Sequence, residues 1–219
     1  MSASLVTLPG VYAPQHDTRL LAEVLRHEPL PPGTEVLDVG TGTGALALTA
    51  AARGARVTAV DISRLAVFVA RLNAWRRRAP LRVLHGDLFA PVARHSFDLI
   101  LANPPYVPAL APHPPRRGAA RAWDAGYDGR CVLDRICRTA PALLRPGGRL
   151  LLVHSVLSSP SRTLGLLRQH GLHAEVVRRS SVPFGPVLTA RQQWLRDRKL
   201  LSDSATCEGL VVVRAVRSD

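Results

Sequence analysis

The chain has 219 residues, 47% of them hydrophobic, which suits one α/β domain with a full core and excludes wholesale disorder. Its 29 basic and 16 acidic residues leave a net charge of +13, which points either to an acidic partner such as nucleic acid or the ribosome, or to the composition of a GC-rich genome, because Lys199 is the only lysine. No apolar run reaches the roughly 18 residues of a membrane helix, the start MSASLVTLPG is no signal peptide, and three cysteines without CxxC spacing beside scattered histidines predict a cytoplasmic protein with no metal site.

Residues 16–27 repeat apolar side chains at 20, 21, 24 and 25, a helical period. A buried strand follows over 34–40, then a helix over 45–55 closed by Gly54. The spacing predicts a second strand over 56–62 and a helix over 63–75 capped by Ser63. Further strands are predicted over 81–89 and 97–105, and a helix over 128–144. The chain then reads as strand 147–155, helix 161–171, strand 173–182 and strand 209–216. Two segments lack a regular pattern: the Pro/Arg-rich 107–123, and 182–202, whose second half is helical. Strands alternating with helices predict a doubly wound, mostly parallel seven-stranded sheet with helices on both faces, an α/β Rossmann-like fold. Ligands of such sheets bind beyond the carboxyl ends of the strands, so those ends are the places to look for chemistry.

The first strand ends in Asp38-Val-Gly40-Thr41-Gly42-Thr-Gly44. Glycines there let a ligand lie on the backbone ahead of the helix. Asp61 closes the second strand, next to Ile62, where a carboxylate accepts both hydroxyls of a ribose. The loop also fits G-x-G-x-x-A, so NAD and S-adenosylmethionine both satisfy loop and acid. Asp38, just ahead of the glycines, favours a cationic ligand over a pyrophosphate. Asp87-Leu88, at the end of the third strand, places an acceptor near an adenine amine.

Asn103-Pro104-Pro105-Tyr106 ends the fourth strand. The prolines stiffen the turn and bring no N–H, so local carbonyls are free to face a ligand. The Asn103 side-chain oxygen and the Pro104 carbonyl can accept both protons of one planar NH₂ group. That orients a delocalised nitrogen lone pair toward a methyl carbon and stabilises developing positive charge. Tyr106 can stack on the amide or base plane.

These motifs together resemble the Asn-Pro-Pro-Tyr amino-methyltransferases, and within them the HemK family of glutamine N5-methyltransferases. GVYAPQHDTRLL (10–21) is similar to the V-Y-x-P-x-x-D-[ST] signature of short, single-domain HemK relatives. WDAGYDGRCVLDRI (123–136) is similar to their W-x-G-G-x-x-G-x-x-x-[LM]-D-R segment, with Ala125 in place of a glycine. The resemblance implies S-adenosyl-L-methionine as cofactor, S-adenosyl-L-homocysteine as product, and a release-factor-like protein as substrate. It implies that Tyr12, Pro14, Asp17 and Thr18 close over the cofactor's methionine end, and that Trp123 and Gly126 flank the substrate entrance. It further implies a small zinc-binding activator protein as partner. The chain is then one methyltransferase domain over 1–219, with 1–30 as a cofactor-covering segment and 182–202 as a substrate-recognition insert; it leaves no room for the N-terminal docking domain of two-domain relatives. Three rivals share the motifs: an adenine N6 or guanine N2 methyltransferase of nucleic acid, a small-molecule N-methyltransferase, and an inactive binding protein. The segments 107–123 and 182–202 are expected at the rim of the acceptor pocket, with Arg116, Arg117, Arg191 and Arg196 contacting a macromolecular substrate.

Overall fold

The computed structural model describes residues 4–218, so the first three residues of the expected covering segment lie outside it. The described elements build one seven-stranded sheet in the order β3-β2-β1-β4-β5-β7-β6. Its strands are β1 (Glu35–Val39), β2 (Arg56–Asp61), β3 (Leu81–His85), β4 (Phe97–Ala102), β5 (Leu144–Ser155), β6 (Leu172–Pro183) and β7 (Cys207–Arg217). Pairings among β3, β2, β1, β4 and β5 are parallel, whereas β7 runs antiparallel to both β5 and β6.

The central strands are near-continuous apolar runs because both of their faces are covered. Leu99, Ile100 and Leu101 of β4 and Leu150, Leu151 and Leu152 of β5 are fully buried. Each such side chain contributes about 1.5–3 kcal/mol over leaving it in water. The helices are α1 (His16–His27), α2 (Ala45–Ala51), α3 (Arg64–Arg76), α4 (Cys131–Leu143), α5 (Pro160–Gln169) and α6 (Pro186–Asp197). α1 packs on β5, β6 and β7 and touches α2; α4 and α5 touch each other and pack against β5 and β6. Ser63 caps α3 as its sequence predicts, accepting from the Ala66 amide at 3.3 Å.

Differences from the sequence reading fall at element ends. β4 stops at Ala102, so Asn103 and both prolines stand beyond the strand rather than inside it. β3 stops at His85, ahead of Gly86. α4 starts at Cys131, three residues late, and carries Pro141 in its last turn. β5 begins earlier, at Leu144, and takes the Pro-Gly-Gly turn into the strand as an irregularity in its pairing with β4.

One buried charge fixes the turn after β5. Arg130, 2% exposed, donates to Asp134 at 2.7 Å, to the Thr163 hydroxyl at 2.9 Å and to the Ser158 and Ser159 carbonyls. An arginine is tolerated there because Nε and Nη1 meet carboxylate, hydroxyl and carbonyl acceptors, although Nη2 is buried without a partner. The Ser158 hydroxyl, held in this way, donates to the Tyr106 carbonyl at 2.7 Å. The 182–202 segment forms its own small core of Leu188, Leu195 and Leu201, with Val107 and Phe184 packed against it.

Candidate active site

β2 and β4 lie on opposite sides of β1, so chain order reverses there and a crevice opens beyond the strand ends. A cavity of about 620 Å³ occupies that position. Of the residues singled out from sequence, Tyr12, Pro14, Asp17 and Thr18 line it, as do Gly40, Thr41, Gly42, Asp61 and Ile62. Asp87, Leu88, the whole Asn103–Tyr106 turn and Trp123 line it as well. Asp38 and Gly44 do not. They sit one layer behind.

The glycine loop forms as it does because three of its residues adopt positive φ: Gly40 at 73°, Gly42 at 54° and Gly44 at 84°. Behind the loop, a side chain on Gly44 would press on Ala70 of α3 at 3.4 Å. On the cavity side, a Cβ on Gly40 would meet nothing nearer than the Asn103 carbonyl at 4.0 Å. The loop therefore presents bare backbone to the cavity, and any side chain there would take up ligand space.

Asp61 ties this loop to β2. Its two oxygens accept from the Gly42 and Ser63 amides, each at 2.8 Å. Burial pushes its carboxyl above the usual range, while these amides and the charge of Arg121 hold it down. Each oxygen keeps a further lone pair for a ligand hydroxyl. Asp38 works from beneath: one oxygen accepts from the Thr41 hydroxyl at 2.6 Å and the Ala47 amide at 3.1 Å. Its other oxygen is buried without a partner, and burial raises its pKa to about 6. The expectation that Asp38 faces a cation directly gives way to a loop-holding position.

Asp87 makes a bidentate contact with Arg135 of α4, at 2.6 and 3.3 Å, in a half-exposed position. Leu88 has φ of 48°, a costly conformation for a branched side chain, and such strain concentrates at ligand sites.

The opposite wall is a chain of hydrogen bonds across three segments. The buried Asp17 carboxylate accepts from the Tyr12 hydroxyl at 2.8 Å and the Tyr106 hydroxyl at 3.0 Å. Its other oxygen accepts from the Thr18 amide at 2.6 Å and the Thr18 hydroxyl at 3.3 Å. Thr18 in turn accepts from the Asn103 side-chain NH₂ at 3.0 Å. That contact engages the donor end of the Asn103 amide and leaves its oxygen for another group. Burial, then the nearby Asp17 charge, raises the pKa of both tyrosines, so they stay neutral donors. The Tyr106 hydroxyl is therefore spoken for, and its ring serves as a wall.

Beyond Tyr106, Val107 donates to the Trp123 carbonyl at 2.8 Å and Ala109 donates to the Gly126 carbonyl at 2.8 Å. This pairing folds 107–126 back over the Asn103 turn and sets Trp123 on the cavity wall. Gly126 is there for space: a Cβ would stand 2.5 Å from the Cys131 sulfur and 2.7 Å from the Pro112 carbonyl. The 107–123 segment supplies rim residues Arg116, Arg117 and Arg121. α6 does not reach the lining. Arg191, expected to contact substrate, instead donates to Asp124 at 2.6 and 3.2 Å and to the Pro108 carbonyl at 2.9 Å, clamping α6 to the rim loop.

Sequence reasoning missed Arg121 and Arg135, whose relation to Asp61 and Asp87 crosses most of the fold and leaves no short-range signal. Among the described residues no group of three His, Cys, Asp or Glu could hold a metal ion, and no helix is long and apolar enough to cross a membrane.

Residues 2–114 match the family model for the methyltransferase small domain. A putative protein N5-glutamine methyltransferase of Methanocaldococcus jannaschii is 34% identical over 177 residues, covering 80% of this chain and 88% of that one. The release factor glutamine methyltransferase of Geobacter sulfurreducens is 36% identical over 174 residues, and the match covers 76% of this chain but 60% of the longer enzyme. Among solved structures, the E. cuniculi Mtq2–Trm112 complex, which methylates the termination factor eRF1, superposes with a TM-score of 0.65 at 22% identity, over 95% of this chain and 99% of that one. At that identity the superposition speaks for the fold, and the sequence matches carry the kinship. The family match over half of the chain and the 34% identity across most of it place the chain: it belongs to the methyltransferase small domain family.

Proposed function

We propose that the protein transfers a methyl group from S-adenosylmethionine to the side-chain amide of a glutamine in a protein, with translation release factors as the substrate class. The observation that carries this reading is the orientation of Asn103. Its NH₂ is held by Thr18 at 3.0 Å, which turns the amide oxygen out as an acceptor.

The site fits the cofactor. Gly40 and Gly42 offer bare backbone, Asp61 offers lone pairs to ribose hydroxyls, and the Asp87 side supports an adenine amine. Tyr12, Pro14, Asp17 and Thr18 bound the end that would take the methionine portion. When bound, S-adenosylmethionine supplies an electrophilic methyl on a sulfonium. Everything else falls to the chain. The Asn103 oxygen and the Pro104 carbonyl would accept the two amide protons of glutamine, fixing the NH₂ plane so that the nitrogen lone pair faces the methyl carbon. Their partial negative charge stabilises the positive charge that develops on nitrogen as the bond to carbon forms. Pro105 and the buried Tyr106 keep this turn from relaxing, so the acceptors are already placed when substrate arrives. The amide proton is lost to solvent after transfer, and no tuned base is needed before it.

The two sequence relatives named above are described as glutamine methyltransferases, one of them of release factors, and the length of the M. jannaschii relative is nearly spanned. A small zinc-binding activator of the kind the resemblance implies would cover the apolar stripe that α3 exposes: Leu65 is 40% exposed, Phe68 58% and Trp75 76%. The test is direct. Incubation of the purified protein, with and without a candidate activator, with labelled S-adenosylmethionine and a release factor should label one glutamine, located by mass spectrometry. Label in RNA from a cell extract, with none in protein, would replace this reading with the nucleic-acid one.

A further inference from the structure

Asn73 lies inside α3 and is 1% exposed. An asparagine within a helix competes with the helix for backbone partners, so it is tolerated when its amide is engaged elsewhere. This one is. Its Oδ1 accepts from the Val6 amide at 2.8 Å, and its Nδ2 donates to the Val6 carbonyl and to the Thr43 carbonyl, each at 3.0 Å. The side chain thus meets the Val6 peptide on both sides, as a neighbouring strand would, and gives its remaining proton to Thr43. The flipped amide would set Nδ2 against the Val6 N–H and Oδ1 against two carbonyls, so only one orientation satisfies all three backbone groups.

Those partners belong to two different walls of the cavity. Thr43 stands in the glycine loop, whose Gly44 backs onto Ala70, one turn before Asn73 on the same face of α3. Val6 belongs to the strap ahead of α1, and Gly10, Val11, Tyr12 and Pro14 of that strap line the cavity, as Thr43 does. The strap runs close over the loop: a Cβ on Gly42 would stand 3.6 Å from the Tyr12 carbonyl. Little else pins it. None of residues 4–15 is buried. Among the described residues, 4–14 are hydrogen-bonded to the rest of the chain at Asn73 and through the Tyr12 hydroxyl to Asp17, and nowhere else. A segment with so few buried contacts opens at low cost unless such bonds hold it.

Resting on the reading of this cavity as the S-adenosylmethionine pocket, we infer that Asn73 is a positioning residue of the cofactor site: it clasps the strap to the glycine loop and so sets how long the cofactor stays bound. Asn73 itself stays outside the lining and acts through Val6 and Thr43. Cofactor covered by the strap leaves when the strap lifts, and lifting it breaks the pair at Val6. Methyl transfer draws instead on Asn103, Pro104 and Thr18, none of which bonds to Asn73. Residence of the cofactor and the rate of the chemical step are therefore separable at this residue.

The experiment chases labelled S-adenosylmethionine or S-adenosylhomocysteine from the protein with unlabelled ligand. Asn73→Ala should speed the loss of both about tenfold. Single-turnover methyl transfer to a release factor, from the saturated site, should stay within about twofold of native. A merely structural asparagine would not give that split; its loss would lower thermal stability and leave ligand release from the folded protein unchanged. Val6→Pro removes the same bond from the strap side, in a segment outside the core, and should speed release about threefold. The double variant should match Asn73→Ala, because both changes open one clasp.

Hydrogen exchange on the native protein without ligand needs no variant. The Val6 amide should exchange well behind the Thr7 amide, which has no partner among the described residues. Native release rates in either folded variant, effects that add in the double variant, or equal exchange at Val6 and Thr7 would overturn the inference while leaving the pocket reading intact. Should Asn73→Ala fail to fold, Val6→Pro and the exchange measurement decide it. Failure of the native protein to bind either ligand overturns the pocket reading and the inference with it.

Discussion

On the cavity floor, Asp61 accepts from two backbone amides at 2.8 Å each, and Asp38 accepts from a third behind it. At the rim, Asp124 accepts from the Arg191 side chain, and Arg121 donates to the Arg116 carbonyl. The floor is fixed by groups the backbone cannot withdraw, on residues within a few positions of strand ends. The rim is fixed by long side chains from distant parts of the chain. A floor of this kind holds one cofactor in one pose; a rim of this kind can change its residues and select a different acceptor.

The largest effect expected belongs to the point where floor meets rim. Asn103→Ala removes one preorganised acceptor, which should lower turnover by about 10²–10³-fold, or roughly 2.7–4 kcal/mol. Cofactor affinity should hold, because Asn103 hands its NH₂ to Thr18 rather than to the glycine loop. Single-turnover methyl transfer measured beside calorimetry separates the two, and full activity in a folded variant would sink the mechanism. Asp61→Ala is a floor change alone. It should cost about 1–3 kcal/mol of cofactor binding, and the Gly42 and Ser63 amides that lose their acceptor should loosen the loop. Unaltered affinity would take Asp61 out of the site.

Arg191→Met tests the rim. Asp124, with a side chain 13% exposed, would lose its bidentate partner at about 1–2 kcal/mol of stability. The 107–124 loop should slacken, so KM for the protein acceptor rises while cofactor affinity stays put. Equal losses in both would show that floor and rim are one unit. Thr18→Val is subtler. It leaves the Asn103 amide free to turn over, and a single hydrogen bond of this kind is worth about 0.5–1.5 kcal/mol. The loss should fall on kcat rather than on cofactor binding.

The same division explains what the sequence revealed. Strand periods, the glycine loop, Asp61 and the Asn103 turn were legible because each lies in a short stretch whose chemistry is local. The doubly wound, mostly parallel character of the sheet followed from strand and helix alternation, though not the order of its strands, and even Ser63 declared itself as a cap. The pairing of Val107–Ala109 with Trp123–Gly126, the Arg191 clamp and the Arg130 knot were not legible. Each joins residues by side chains or carbonyls from separate elements, and an arginine in this chain says nothing of its partner when arginine is so common. Asp38 illustrates the limit inside a motif: its place in sequence beside the glycines was plain, but which side of the loop it faces depended on the Ala47 amide of α2.

The smallest effect separates the two readings of the net charge of +13. Arg116 and Arg117 are exposed at the cavity mouth and in no ion pair among the described residues. If their charge draws an acidic surface of the acceptor toward the site, the attraction acts over about a Debye length, roughly 8 Å at physiological salt. Replacing both by Gln should then raise KM for the protein acceptor only severalfold at low salt and hardly at all at high salt, because exposed charges are worth about 0–1 kcal/mol each. The native enzyme should lose affinity as salt rises, with a slope that the double variant flattens. Cofactor affinity and kcat should not move, since neither arginine is tied to the Asp61 loop or the Asn103 turn. Identical salt dependence in native and variant enzymes would assign these arginines to composition alone, and would leave substrate choice to the shape of the mouth around Trp123.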